Sequence, residues 1–332
     1  QSTLCTEVLE PRVTGVLLCS RGVVVMSQER EGDALMAAPE NSFSIEGESP
    51  NTTKAKPPCN PLCVPVFLAV VLYGQLLHGL CALLLLLGIR VSPRVTGDHT
   101  LRLMATTFAT TAGSHPVIDD TQGPVVFLCN HRSWGDFVLD SALLGAPSFV
   151  SRWLVALGIP MTAAWGYLHG WIWFFQRGTK HAEGTVAWTA NFWDNKYHAF
   201  PEKGVVLYPE GTRNFEPQGM PLKPGGLVSI FQLGWPVQIV ITTNKEWLVS
   251  EKSCYVGCGT CCVSSVSAPL YPSQTETAEA FIDLVQSVWT ATWKDAYYGN
   301  GSEGEGVQGL VPRVSARLPG AQSAPTVRFS CG

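Results

Sequence analysis

Seven consecutive residues, Asn130-His131-Arg132-Ser133-Trp134-Gly135-Asp136, hold the pair of side chains best suited to moving a proton. His131 and Asp136 lie five positions apart. On a regular helix that spacing puts them about 140° apart around the axis, and on a strand roughly 16 Å apart on opposite faces, so neither element lets them touch. A strand ending at Cys129, a turn through Ser133 to Gly135 and a helix starting near Asp136 would bring them together. Asp136 would then hold one ring nitrogen and leave the other to accept a proton. The chain has seven histidines, and at about 5% Asp per position a His followed by Asp at plus five arises by chance about once in three such chains. The pair gains meaning only from its company.

The elements around it alternate. Apolar, β-branched and aromatic runs read as strands at 124–129, 148–152, 171–175, 205–208 and 237–242. Helical stretches separate them at 136–145, up to about 169, at 182–199 and at 225–233. This is the pattern of an α/β chain. Residues 247–270 read as hairpin strands and 275–297 as an amphipathic helix. The segment from 91 to about 123 reads as a connection.

Hydrophobic residues make up 46% of the 332-residue chain and charged residues only 14%, with 11 tryptophans, a balance that favours membrane association. The net charge is −4, and no run of Lys or Arg marks a nucleic-acid surface. Eleven cysteines, an odd number, give no disulfide framework and point to a reducing compartment. Cys254, Cys258, Cys261 and Cys262 cluster without two clean Cys-x-x-Cys pairs, so they read as small apolar residues rather than a zinc site.

Residues 1–60 mix short apolar pieces with a stretch rich in Glu, Ser, Asn and Pro, and are expected to be disordered. No charged side chain occurs from Pro57 to Ile89, and about 20 apolar residues suffice to span a bilayer core. A transmembrane helix is therefore expected within 61–90, with Gln75 and His78 facing a partner or the interface. Arg90, Arg94 and Arg102 on its C-terminal side against Lys54 and Lys56 before it favour a cytosolic C-terminal side. The aromatic-rich segment between Arg152 and Arg177 is uncharged too, but Gly158, Pro160, Gly166 and Gly170 interrupt it. It reads as a packed helix and strand with a membrane-facing surface. Residues 91–298 form the main domain, and 299–332 a Gly-, Ser- and Pro-rich disordered tail.

The strand Val205-Val206-Leu207-Tyr208 runs into Pro209-Glu210-Gly211-Thr212-Arg213. A given four-residue string arises about once in 10⁵ positions, so Glu-Gly-Thr-Arg downstream of Asn-His-x-Ser-x-x-Asp is specific. Together the two motifs resemble those of the glycerophospholipid acyltransferases, the PlsC-like group that includes the 1-acylglycerol-3-phosphate acyltransferases, over roughly residues 60–297. A third block of that family is met by Gly170 to Arg177, its Gly one residue further from the Arg than usual. The fourth usually carries two prolines; Trp235-Pro236-Val237-Gln238-Ile239 keeps one, with Gln238 in the second place.

The resemblance implies a mixed central sheet flanked by helices, acyl-CoA as donor, and lysophosphatidic acid or another lysophospholipid as acceptor at a bilayer, with no cofactor and no metal. It also implies an endoplasmic-reticulum enzyme with its catalytic domain facing the cytosol. Transfer of an acyl chain to a glycerol hydroxyl needs a base, for which His131 is the candidate with Asp136 to fix its tautomer. Arg213 and Arg177 suit bidentate phosphate contacts. Glu210 would orient Arg or the acceptor hydroxyl, and Gly211 and Thr212 would let backbone N–H groups approach the phosphate. Lys223 resembles a further basic position. Trp165 to Phe175 would line an acyl groove or pack the core. No Gly-x-Ser-x-Gly elbow is present, so no enzyme nucleophile is expected. An inactive membrane scaffold of the same fold is the alternative to an enzyme.

Overall fold

The computed structural model of the chain describes residues 63–111, 113–118, 123–176, 181–200, 204–214 and 219–299. The expected disordered segment 1–60, the tail beyond 299 and Arg177 lie outside the described residues. In chain order the first elements are helix α1 (Cys63–Leu86), helix α2 (Pro93–Leu103), strand β1 (Thr107–Thr110), strand β2 (Val126–Cys129), helix α3 (Asp136–Leu144) and strand β3 (Ser148–Arg152). Short helix α4 (Val155–Gly158), helix α5 (Pro160–His169), strand β4 (Ile172–Phe175), helix α6 (Thr185–Ala199), strand β5 (Val205–Leu207), helix α7 (Pro224–Leu233) and strand β6 (Val237–Thr242) follow. The last are helix α8 (Lys245–Leu248), strands β7 (Val249–Ser250), β8 (Tyr255–Val256) and β9 (Cys261–Val266), and helix α9 (Ala278–Tyr298).

Among the described residues, seven strands form one mixed sheet in the order β1-β9-β6-β2-β5-β3-β4. All its pairings are parallel except that of β9 with β6. Strands β2 and β6 are buried along their whole length, as near-continuous apolar runs in a sheet covered on both faces must be. Side chains alternate between the faces. Val126 and Leu128 join Trp173, Trp193, Phe281, Trp289 and Trp293 under α6, α7 and α9. Val125, Phe127 and Cys129 join Phe149, Trp165 and Trp171 on the other side. Trp165, Trp171 and Trp173 are thus core residues, and the exposed large apolar side chains of this stretch are Tyr167 and Leu168.

Two expectations are corrected. The segment after Ile89 is more than a connection: Ser92 caps α2 by accepting the Arg94 N–H, with Pro93 in the first turn, a sequence signal for a helix start. Gly97 lets α2 press on α3, for a Cβ there would stand 2.9 Å from the Val138 carbonyl. The 247–270 stretch is only partly a hairpin. Strands β7 and β8 pair with each other, but β9 inserts into the main sheet between β6 and β1.

Helix α1 is the one described helix long and apolar enough to cross a membrane. Its polar residues are turned onto α5. Gln75 donates to the Thr162 hydroxyl at 2.8 Å and accepts the Met161 N–H at 2.9 Å. His78 Nδ1 lies 2.8 Å from the same hydroxyl, and its ring stacks on Trp165.

Candidate active site

The two motifs, far apart in sequence, meet because β2 and β5 are neighbours in register, Val126 opposite Val205 and Leu128 opposite Leu207. Both strands run parallel, so the loops that follow them leave the same sheet edge, where open α/β sheets place their ligands. Three contacts fix the first turn to its surroundings. Asn130 uses its side chain as one more rung of the ladder, donating to the Thr242 carbonyl at 2.9 Å and accepting the Thr242 N–H at 3.0 Å. Arg132 is buried against Glu246, at 2.7 and 3.2 Å, and over the Tyr297 ring. The Asn214 N–H donates to the His131 carbonyl at 2.8 Å, tying the second motif's loop to the first.

Asp136 begins α3, and its carboxylate turns back over the turn. It accepts the N–H groups of Arg132 at 2.6 Å and Ser133 at 3.1 Å, the Ser133 hydroxyl at 3.1 Å, and the His131 ring at 2.7 Å through Nδ1. A carboxylate that accepts from Nδ1 fixes the tautomer with the lone pair on Nε2. The imidazole also stacks on Tyr208, with ring centroids 4.4 Å apart and planes inclined by 18°, and its side chain is 27% exposed while Asp136 is sealed. The ring is held at its edge and on one face, and still reaches solvent. Ser133, with its hydroxyl on Asp136 and on the Gly135 N–H, is a turn residue.

Behind the pair lies a buried layer that the motifs do not announce. Lys245 is 1% exposed, and its ammonium donates to the Asn130 carbonyl at 3.0 Å and to both Asp140 oxygens at 2.8 and 2.9 Å. Asp140 also accepts the Tyr208 hydroxyl at 2.9 Å. Burial pushes the Asp140 carboxyl up to about 6 in spite of Lys245. For Asp136, burial works in the same direction, but the Lys245 charge, the His131 contact and the Ser133 N–H outweigh it and leave the carboxyl below its ordinary value. Asp136 is therefore ionised at neutral pH, the state in which a carboxylate can orient an imidazole.

In the second motif Glu210 is 1% exposed. Its oxygens accept the Asn214 amide at 2.9 Å, the Met220 N–H at 3.1 Å and, at 3.5 Å, the His131 N–H. Burial raises its pKa. The contacts make Glu210 a staple between the two loops and place it against neither Arg213 nor open solvent. Gly211 has φ +69° and is covered by the Lys223 side chain, whose Cδ would lie 2.6 Å from a Cβ there, so Lys223 brings a second cation to this turn. Thr212 is exposed and Arg213 partly so. The Arg213 guanidinium is paired with Glu251, whose other oxygen accepts the Trp134 N–H at 3.3 Å. Gln238, in the place of a second proline, is buried and ties 116–118 to β6 and β9, accepting the Ile118 N–H and donating to the carbonyls of Pro116 and Ser267. Among the described residues no group of three or more His, Cys, Asp or Glu stands ready for a metal ion.

Residues 94–243 match the family model described as Acyltransferase. Over these residues the chain resembles the acyltransferase family. Its fold is PlsC-like: it matches the crystal structure of the 1-acyl-sn-glycerophosphate (LPA) acyltransferase PlsC from Thermotoga maritima with a TM-score of 0.52, at 17% identity, over 71% of this chain and 95% of that one. No curated protein matches the chain in sequence. The matched family segment holds both motifs and ends just before Lys245, Glu246 and Glu251. Those three residues meet the first motif from outside it, and sequence reasoning missed them along with Asp140 and Tyr208.

Proposed function

We propose that this acyltransferase moves a fatty acyl chain from acyl-CoA to 1-acyl-sn-glycerol 3-phosphate, forming phosphatidic acid and CoA. The observation that carries the reading is the 2.7 Å contact between His131 and Asp136, joined through the Asn214–His131 bond to the turn that bears Arg213. In this reading Nε2 of His131 takes the proton of the acceptor's free hydroxyl as its oxygen attacks the thioester carbon. The Asp136 carboxylate offsets the charge of the imidazolium. When the tetrahedral adduct collapses, the C–S bond breaks, and the imidazolium returns the proton to the departing CoA sulfur. No acyl-enzyme is needed, and Ser133, already engaged within the turn, is not its nucleophile. Arg213, with Arg177 and Lys223 as further cations, binds the phosphate, and the Gly211-Thr212 turn, exposed at Thr212, lets backbone approach it.

Residues 91–298 are the catalytic domain in this proposal and 61–90 the membrane anchor. The cations Arg90, Arg94 and Arg102 after the anchor and the unpaired thiols of Cys129, Cys254, Cys258, Cys261 and Cys262 support a catalytic domain on the cytosolic side, in the endoplasmic reticulum. Membranes containing the wild type should acylate labelled 1-acylglycerol 3-phosphate with acyl-CoA, and those containing His131→Ala should not. Full activity in the variant removes the base assignment. Activity in the wild type confined to another lysophospholipid makes the chain a remodelling enzyme, and activity on no lysophospholipid makes it a scaffold.

A further inference from the structure

Asp136 grips the His131 ring at one edge, through Nδ1. The torsion that turns an imidazole about its Cβ–Cγ bond is broad and lacks sharp staggered wells, so a single bond at Nδ1 leaves the ring free to tilt and Nε2 to wander. A second constraint is needed, and it comes from the other motif. The Tyr208 ring lies nearly parallel to the imidazole, with centroids 4.4 Å apart and planes inclined by 18°.

Tyr208 is itself held from several sides. It follows directly on β5, its carbonyl accepts the Gly211 N–H at 3.0 Å, and Phe149 of β3 backs its ring, with centroids 6.4 Å apart. Its hydroxyl donates to Asp140 at 2.9 Å. Asp136 and Asp140 both belong to α3, and positions four apart share one helix face with Cβ atoms about 5–6 Å from each other. The helix thus presents two carboxylates one turn apart, the first to the imidazole and the second to the phenol on which the imidazole rests. Lys245 fixes the second by donating to both Asp140 oxygens. Burial and the Asp140 charge push the Tyr208 phenol well above its ordinary value, so the hydroxyl keeps its proton and the residue acts through His131.

We propose that Tyr208 is a positioning residue for the base: its ring sets the plane of the His131 imidazole and hence the direction in which Nε2 meets the acceptor hydroxyl. The inference rests on the reading of His131 as the base. Geometry of this kind matters for rate, since a misplacement of about 1 Å can cost about 10²-fold.

The test sets Tyr208→Phe against Tyr208→Leu in the full-length protein, with kcat and KM taken from acylation by acyl-CoA of 1-acylglycerol 3-phosphate, or of whichever lysophospholipid the wild type accepts. Both variants lose the hydroxyl and its bond to Asp140, and only Phe keeps a ring against the imidazole. Tyr208→Phe should retain most of kcat. Tyr208→Leu should fall at least about 10-fold below it in kcat, with KM for both substrates held, the pattern of a group that acts in the reaction step and not in binding. Equal kcat in the two variants overturns the proposal, whether both match the wild type or both are lost with the hydroxyl. A rise in KM at unchanged kcat overturns it too. Rates are read below the thermal melt of every protein, and Tyr208→Met, apolar and unbranched but not flat, takes the place of a Leu variant that does not fold. A fully active His131→Ala protein, or a wild type that acylates no lysophospholipid, removes the base reading and this inference with it. An inactive His131→Ala protein beside a Tyr208→Leu protein as fast as Tyr208→Phe removes this inference alone.

Discussion

The Asp136 carboxylate is shared among the His131 ring, two backbone N–H groups and the Ser133 hydroxyl, so its replacement by Asn tests one function while sparing most of the turn. The Asn oxygen, in the place of Oδ1, can still accept the Ser133 N–H and hydroxyl, while the Arg132 N–H, which shares Oδ2 with Nδ1, loses its acceptor. Its NH₂ would face Nδ1 as a donor and drive the imidazole into the other tautomer, with the proton on Nε2. Asp136→Asn should lower kcat by about 10²- to 10⁴-fold and leave KM for the acceptor almost unchanged, as measured by steady-state acylation. A KM effect without a kcat effect would make Asp136 a binding residue. Arg213→Lys asks the complementary question. An ammonium cannot reproduce the guanidinium fork, so KM for the phosphate acceptor should rise on the order of 10- to 100-fold while KM for acyl-CoA stays put. At this scale much was legible, since His131, Asp136, Glu210 and Arg213 stand in two strings specific enough to be noticed. The role of Glu210 was less so. Nothing in the string Glu-Gly-Thr-Arg tells that its carboxylate turns inward to Asn214 and Met220.

The element that positions the turn from behind is α8 with the end of β6, and its agent is Lys245. Its ammonium lies among Asp140, the Asn130 carbonyl and the face of Tyr208, and both carboxylates near it are held lower by its charge. Removing one partner of a buried pair costs about 3 to 5 kcal/mol, so Lys245→Met should unfold correspondingly earlier in denaturant. The double variant Asp140→Asn/Lys245→Met should recover much of that loss. The pH dependence follows from the signs. Asp136, depressed in the folded state, contributes stability above the unfolded carboxyl value that is lost as pH falls through its folded value. Asp140, raised to about 6, runs the other way: its contribution is complete below the unfolded carboxyl value and fades as pH rises through about 6. Without Lys245 both carboxyls rise, so the acid limb of the pH–rate profile should move to higher pH. An unmoved limb would show that Lys245 supports the fold without tuning the pair. None of this layer was readable in advance, because Lys245 and Asp140 are 105 positions apart and a lysine between Asn244 and Glu246 carries no motif. The same holds for β1 (TFAT), too short to declare itself as a strand, and for the place of β9 (CCVSSV), which reads as a hairpin strand until the main sheet pairs it. The parallel strands β2, β3, β4, β5 and β6 were legible because burial on both faces demands long apolar runs.

At the scale of the molecule, the question is where the acyl chains meet the site. A helix of 24 residues is about 36 Å long at 1.5 Å per residue, enough for a hydrocarbon core of about 30 Å. Gln75 and His78 lie near the middle of α1, and there they bind Thr162 and the Met161 N–H at the start of α5. An α1 inserted along its length therefore takes α5 down with it and cannot leave the catalytic domain wholly in water. The surface next to α5 suits that position. Trp153, Leu154, Val155, Leu157, Met161, Tyr167 and Leu168 are all exposed and apolar, and Trp134 of the first motif leans on α4 at Gly158. The mouth of the site then opens beside the lipid, and a long-chain acceptor need not leave the bilayer to present its hydroxyl. Leu154→Asp/Leu157→Asp puts two charges on this exposed face and alters none of the side chains that hold the His131–Asp136 contact, each charge costing about 2.5 to 3.5 kcal/mol at hydrocarbon depth. Acylation of an acceptor embedded in vesicles should fall by at least about 10-fold, while the same acceptor in detergent micelles, which reshape around the charges, should be acylated at nearly the wild-type rate. Equal activity of the two proteins in vesicles would place α4 in water, and with it the whole catalytic domain above the membrane surface, which requires α1 to part from α5 on insertion.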